Sequence, residues 1–143
     1  MTPSNSSPAI CNCLALRQAA RQVTQFYDRH LAPSGLRATQ YSILAKLKRN
    51  GAMTINALAA DMVMDRTTLG RNVLPLERDG LIAIGRSNTD RRNKELRLTR
   101  AGAARFQTAF AAWTRAQAAF DRAFGAARAR DLRHLMHDVT QAM

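Results

Sequence analysis

The sequence predicts a mainly α-helical fold with one small β-hairpin, on three observations. Apolar residues recur at three- and four-residue spacing along most of the 143 residues, the period of a helix with one buried stripe. That period gives way once, after Gly80, to a short apolar run and then to the alternation Leu96-Arg97-Leu98, the period of a half-buried strand. Pro33, Gly35, Gly51, Gly80 and Gly125 stand between the periodic stretches, where a chain turns most readily. The length suits a single domain and is enough to bury a core without metal or disulfide staples.

Each element has a local reason. The polar start, residues 1–7, reads as an arm before Ser7-Pro8, an N-cap followed by proline at the first helical position. A long helix is predicted from there. Its stripe runs through Leu16, Ala20, Val23 and Tyr27, flanked by Ala19 and Phe26, until Pro33, Ser34 and Gly35 stop it. A second helix is predicted from about Thr39 to Asn50, with Tyr41, Leu44 and Leu47 inward and Gly51 left-handed past its end. Thr54 caps a third helix, which presents Ile55, Leu58, Ala59 and Met62 on one side. After a tight connection at Val63 and Met64, Asp65 caps a fourth whose inward face is Leu69, Val73 and Leu76, and Gly80 ends it. Two helices of this size joined by a short turn are a helix-turn-helix.

The strands Leu81 to Gly85 and Leu96 to Leu98 then form the hairpin. The segment from Arg86 to Arg100 holds six basic residues (Arg86, Arg91, Arg92, Lys94, Arg97, Arg100) against Asp90 and Glu95, so the hairpin projects a cationic tip, a wing. From Thr99 the chain is alanine-rich, and Phe106, Phe110, Trp113, Phe120 and Phe124 follow one helical face up to Gly125. A last helix runs from about Ala127.

Charge narrows the function classes. Twenty-two Lys and Arg against ten Asp and Glu leave a formal +12 and a pI near 11.5, which favours a polyanionic partner. Nucleic acid leads an anionic membrane surface, because membrane-lying helices carry large aromatics and this chain is 6% aromatic. No membrane-length apolar run and no signal-type start are present, so a cytoplasmic protein is expected. Cys11 and Cys13, spaced C-x-C, make neither a zinc set nor a secreted disulfide framework. No nucleophile-base-orienter set or phosphate loop stands out, so neither enzyme activity nor a cofactor is expected. His134 and His137, with Asp131 or Asp138, come nearest to a metal set, and a solvated pair is the simpler reading. His30 suits the C-terminal end of its helix, where a cation is favoured.

With Leu69 at the centre of the buried face of the fourth helix, the helical step puts Thr67, Arg71, Leu74 and Arg78 on the far side, flanked by Arg66, Thr68 and Gly70. The major groove of double-stranded DNA admits a helix and shows a distinct pattern for each base pair. Arg71 can bond guanine bidentately, and the threonines can reach thymine methyls or phosphates. On the wing, an arginine of Asp90-Arg91-Arg92 can enter the minor groove, with Asp90 steering it through a bidentate pair. Pro75 removes one helical hydrogen bond and clashes with the Arg71 carbonyl. The bend this implies either aims the N-terminal half of the helix into the groove or marks the last turn. A basic RNA-binding or architectural protein would use the same charge without reading sequence, and would bind all duplexes alike.

The run Thr39-x-Tyr41, Asp65-Arg66-Thr67-Thr68-Leu69, Leu76-Glu77-Arg78-Asp79-Gly80-Leu81-Ile82, Asp90-Arg91-Arg92 and Leu96-x-Leu98-Thr99 resembles the MarR family of bacterial transcriptional regulators, over nearly the whole chain. The resemblance implies a homodimer in which the first and last helices interlock, the face from Phe106 to Phe124 and that of the first helix being buried partly against the partner chain, and each subunit brings one winged helix-turn-helix to a pseudo-palindromic operator. It implies a repressor with Arg92 in the minor groove. Residues 37–99 are then the DNA-binding domain, and residues 1–36 with 100–143 the helical dimerisation region. Pro75 departs from the commoner family pattern.

Two switches fit this reading. Cys13-Leu14-Ala15-Leu16, with Tyr27 following, is similar to the organic-hydroperoxide-sensing branch of the family, in which the cysteine is oxidised and a tyrosine of the partner subunit bonds to it. Fourteen residues of helix span roughly 21 Å, so Tyr27 reaches a Cys13 only across an antiparallel dimer contact. Arg17, one turn from Cys13, favours a thiolate, although that branch tends to have a tyrosine there. Cys11 and Cys13, taken as helical, stand about 200° apart and do not join without unwinding. Free cysteines are also commonly small buried apolar residues. The other switch is a small aromatic or phenolic effector lodged between the dimer helices and the reading heads, as in many family members.

Overall fold

The computed structural model describes residues 7–89 and 92–143. In chain order it holds α1 (Asn12–Leu31), a 3₁₀ turn (Ala32–Ser34), α2 (Ala38–Asn50), β1 (Met53–Thr54), α3 (Ile55–Met62), α4 (Arg66–Arg78), β2 (Ile82–Arg86), β3 (Lys94–Leu98), α5 (Arg100–Phe124) and α6 (Ala126–Ala142). The architecture is mainly helical with a small antiparallel sheet: a winged helix-turn-helix carried beside long helices.

The helix starts follow their caps. The Thr54 Oγ1 accepts from the Ala57 N–H at 3.1 Å, Asp65 Oδ1 from Thr68 at 2.7 Å and Thr99 Oγ1 from Gly102 at 2.9 Å. At α2 the work is shared, since Asp28 Oδ1 on α1 accepts from the Ala38 N–H at 2.7 Å while Gln40 accepts from Arg37. The first helix begins later than expected. Ser7 closes only a local turn, its hydroxyl accepting from Ala9 and its carbonyl from Ile10, and the N-cap is Cys11, whose Sγ accepts from the Leu14 N–H at 3.4 Å. Ile10, just ahead of that cap, is exposed.

Helix ends follow equally local rules. At the end of α4 the Gly80 N–H bonds to the Glu77 carbonyl and the Leu81 N–H to the Leu76 carbonyl, both at 2.9 Å, with Gly80 at φ 75°. The same pair of bonds closes α3, from Val63 to Ala60 and Met64 to Ala59, but there the left-handed residue is Val63 at φ 54°, ψ 48°. Gly51 has the positive φ expected of it, yet its ψ of −162° leaves the left-handed helical region and leads the chain out extended. That extension creates an element absent from the expectation: Met53 and Thr54 pair with Leu96 and Glu95 of β3. The sheet order is β1-β3-β2, with Ile82 opposite Leu98 and Arg86 opposite Lys94.

The core lies under the helix-turn-helix. Ile43, Leu44 and Leu47 of α2, Leu58 of α3, Leu69 and Leu76 of α4, Ile82 of β2 and Leu96 of β3 are buried together, joined from α1 by Leu31 alone. A salt bridge of 2.8 Å between Lys46 and Asp61 ties α2 to α3. The faces of the long helices lie largely outside this core. On α1, Leu16 and Ala20 are exposed, and Val23 and Tyr27 half-buried. On α5 the buried line is Gly102, Ala109, Ala112 and Ala116, because small residues let the helix axis approach its neighbours. Its aromatics stand beside that line, half-buried except for exposed Phe110, and Phe106 and Trp113 stack on Tyr41 of α2.

Candidate nucleic-acid interface

The outer face of α4 is assembled from the helix's own period. Leu69, Val73 and Leu76 fix its inner side in the core, so Arg66, Thr67, Thr68, Arg71, Leu74 and Arg78 are all exposed, while Gly70 is half-buried. The helix runs unbroken through Pro75. Two of the expected reading residues are engaged within the chain. Thr68 serves the cap, its backbone N–H and its hydroxyl both donating to the Asp65 carboxylate, which holds that carboxyl below its usual 3.8. Arg78 pairs through Nε with Asp79 at 3.4 Å. Arg66, Thr67 and Arg71 project from the first two turns, next to the positive end of the helix dipole. Leu74, exposed among them, has no polar role.

On the hairpin, Arg86 and Lys94 face each other across the strands and both are exposed. Like charges in that register repel, so this end of the wing concentrates positive potential at some cost in stability. Arg97 is drawn back by a salt bridge of 2.8 Å to Glu95. Arg92 is exposed at the turn, and Asn93 accepts a 3.1 Å hydrogen bond from Asn56 of α3, which ties the wing to the helix-turn-helix. Asp90 and Arg91, including the expected steering of an arginine by Asp90, lie outside the described residues.

A second feature lies at the other end. A cavity of about 1280 Å³ opens between α1, α2, α5 and α6, its walls largely apolar and aromatic (Leu16, Val23, Trp113, Phe120) with Arg17 and Arg133 among them. The Tyr27 hydroxyl donates to Gln117 of the same chain. Burial first, and the Asp121 carboxylate next, push the Tyr27 phenol above its usual 10.0, with Arg133 opposing. Cys13 lies on the cavity wall, and in the single chain both Cys13 and Cys11 are exposed free thiols. Cys11, as N-cap, has an extended backbone, so the two cysteines are not a pair of helical residues and the angular argument against joining them lapses. His134 and His137 are exposed, and among the described residues no three His, Cys, Asp or Glu side chains gather as a metal set. Among the same residues no helix is long and apolar enough to cross a membrane.

A helix-turn-helix with a cationic outer helix and a basic wing defines a DNA-binding regulator. A sequence profile of the MarR family matches residues 36–94. No curated protein gives a significant sequence match. Among solved structures, the M. tuberculosis transcriptional regulator MosR is 36% identical, with 93% of this chain and 97% of that one covered and a TM-score of 0.78. The same regulator in complex with DNA gives 38% identity, coverage of 93% and 99%, and a TM-score of 0.75. BpsR of Bordetella bronchiseptica, whose DNA binding is regulated by 6-hydroxynicotinic acid, shares the fold at 19% identity, coverage of 94% and 96%, and a TM-score of 0.81. The chain belongs to the MarR family of DNA-binding transcriptional regulators.

Proposed function

We propose that the chain acts as a homodimeric, sequence-specific repressor that releases its operator in response to a small aromatic ligand or to cysteine oxidation. The observation that carries it is the unpartnered apolar surface beside the cavity. Of the 20 residues of α1 only Leu31 is buried; Leu14 and Leu16, with Leu135, Met136 and Val139 of α6, are exposed, and Leu16, Met136 and Val139 line the cavity. Apolar residues exposed in this number on two helices call for a partner, and a second copy supplies the same surface through a twofold axis. Residues 1–36 and 100–143 would form that interface and residues 37–99 the DNA-binding domain. Two α4 helices then enter successive major grooves, roughly 34 to 36 Å apart. Arg66, Thr67, Gly70 and Arg71 read bases or approach them closely, and Thr68, Arg78, Arg92 and Lys94, with Asp90 and Arg91, fix the register on the backbone and minor groove.

For release, the cavity offers stacking surface at Trp113 and Phe120, with the Tyr27–Gln117 pair and two arginines for a phenol or carboxylate. Oxidation of Cys13 is supported by its place as a free thiol on the cavity wall, with Arg17 one turn away. Sedimentation of the purified chain, with and without a duplex bearing its own promoter, tests the assembly: two chains per duplex are expected, and a monomer that binds all duplexes alike defeats the proposal. Peroxide should release the wild type but not Cys13→Ser; if both respond alike, the ligand route stands alone.

A further inference from the structure

The outer face of α4 contains a residue that the fold itself does not require. Gly70 lies in the interior of the helix with an ordinary negative φ, and a Cβ built on it meets nothing within 4 Å. Glycine in such a place lowers helix stability relative to alanine, and here neither a turn nor a close approach within the chain accounts for it. One turn further on, Leu74 is 61% exposed although Leu69, Val73 and Leu76 already fill the core side. A solitary exposed leucine needs no explanation. A notch and an apolar knob at i and i+4 on a face otherwise set with Thr67, Arg71 and Arg78 is a different matter, because this face is cationic and presented outward.

The occupant that suits both features is the floor of the DNA major groove. Its base edges are mostly donors and acceptors, and the C5-methyl of thymine is the largest apolar group among them, which an apolar side chain gains most by meeting. The missing side chain at position 70 lets the helix axis sink closer to the base edges, and Leu74 then reaches the methyl. Arg71 and Arg78, on either side, are drawn by the phosphates or guanine and hold the helix at that depth. We propose that Gly70 and Leu74 form an apolar reading surface for thymine methyl groups and so determine sequence preference. The proposal rests on α4 being the reading helix.

The test begins with duplexes selected by the protein from a random-sequence pool. In the enriched sequence each thymine is replaced in turn by deoxyuridine, which removes only the methyl, and affinity is measured by fluorescence anisotropy. Wild type should lose about fourfold at one thymine in each half-site, the worth of one buried methyl. Leu74→Ala should fold normally, bind more weakly and show no such loss at that position. Gly70→Ala should raise the Tm by about 3 °C and yet weaken binding at least tenfold. Uracil substitution without effect on the wild type, a penalty that persists in Leu74→Ala, or unchanged or tighter binding by Gly70→Ala overturns the proposal. Failure of the pool to yield any enriched sequence is a separate result, and overturns the sequence-specific reading on which this one rests.

Discussion

Val63 sits at the turn of the helix-turn-helix in a left-handed conformation that suits glycine, with its side chain largely in solvent. For a β-branched residue that backbone costs about 1 kcal/mol or more, and no packing at the site returns it. Val63→Gly should therefore raise stability by about 1 kcal/mol, a Tm gain of about 3 °C in thermal unfolding. Gly102 is the opposite case. A Cβ there would collide with the carbonyl oxygen of Leu81, which already accepts from the Thr99 N–H at 3.1 Å, so backbone rather than a movable side chain stands in the way. Gly102→Ala should destabilise the fold by about 3 kcal/mol, seen as a lower urea midpoint with little change in slope. Both glycine-related sites were hidden in the sequence. A valine announces nothing about its φ, and Gly102 looks like any helix-first-turn glycine until Leu81 is brought against it.

At the scale of elements, the proposed function divides the task of binding between α4 and the wing. Arg71 projects from the outer face of α4, whereas Lys94 stands on the hairpin opposite Arg86. Arg71→Ala should cost about 1 to 3 kcal/mol on the preferred duplex and little on random DNA, while Lys94→Ala should weaken both alike and lower the salt slope by about one. The two are measured side by side as affinity against salt concentration. The outcome opposite to either assignment would move that residue to the other role. Most of α4 was legible beforehand, because an Asp65 cap, an apolar period and Gly80 are each local signals. β1 was not. Its two residues become a strand only because Leu96 and Glu95, some forty positions away, offer free edges, and no local pattern carries that information. The alanine line of α5 was not picked out either: the aromatics marked one helical face, but small residues allow closer helix approach and so took the centre.

Across the whole molecule, titration of a few groups should set the pH range of the fold. In the folded chain burial holds the Tyr27 and Tyr41 phenols above 10.0, so the unfolded chain gives up those protons first. Their contribution is complete below pH 10 and lost as pH rises through the folded values. Asp65 runs the other way: held below 3.8, its cap is present above that pH and lost as pH falls through the folded value. Urea midpoints should hence be flat through neutrality and fall at both ends, and Tyr27→Phe should flatten the alkaline fall. A profile as steep in Tyr27→Phe with Tyr41→Phe would assign that limb to other groups. The position of Tyr27 shows the limit of reading from spacing. The sequence placed it on a helical stripe, but only the tertiary fold brings Gln117 and Asp121 to it.

One joint ties these parts into a single mechanical body. β3 passes into α5 through Thr99, whose hydroxyl donates to the Gly80 carbonyl at 2.7 Å while its N–H holds Leu81, so hairpin base and long helix share one hinge pin. A rod of 25 residues is about 37 Å long, so moving its far tip by an ångström or two turns its base by a few degrees. Under the proposed function, a ligand wedged between the distant helices would steer hairpin and α4 like a crank.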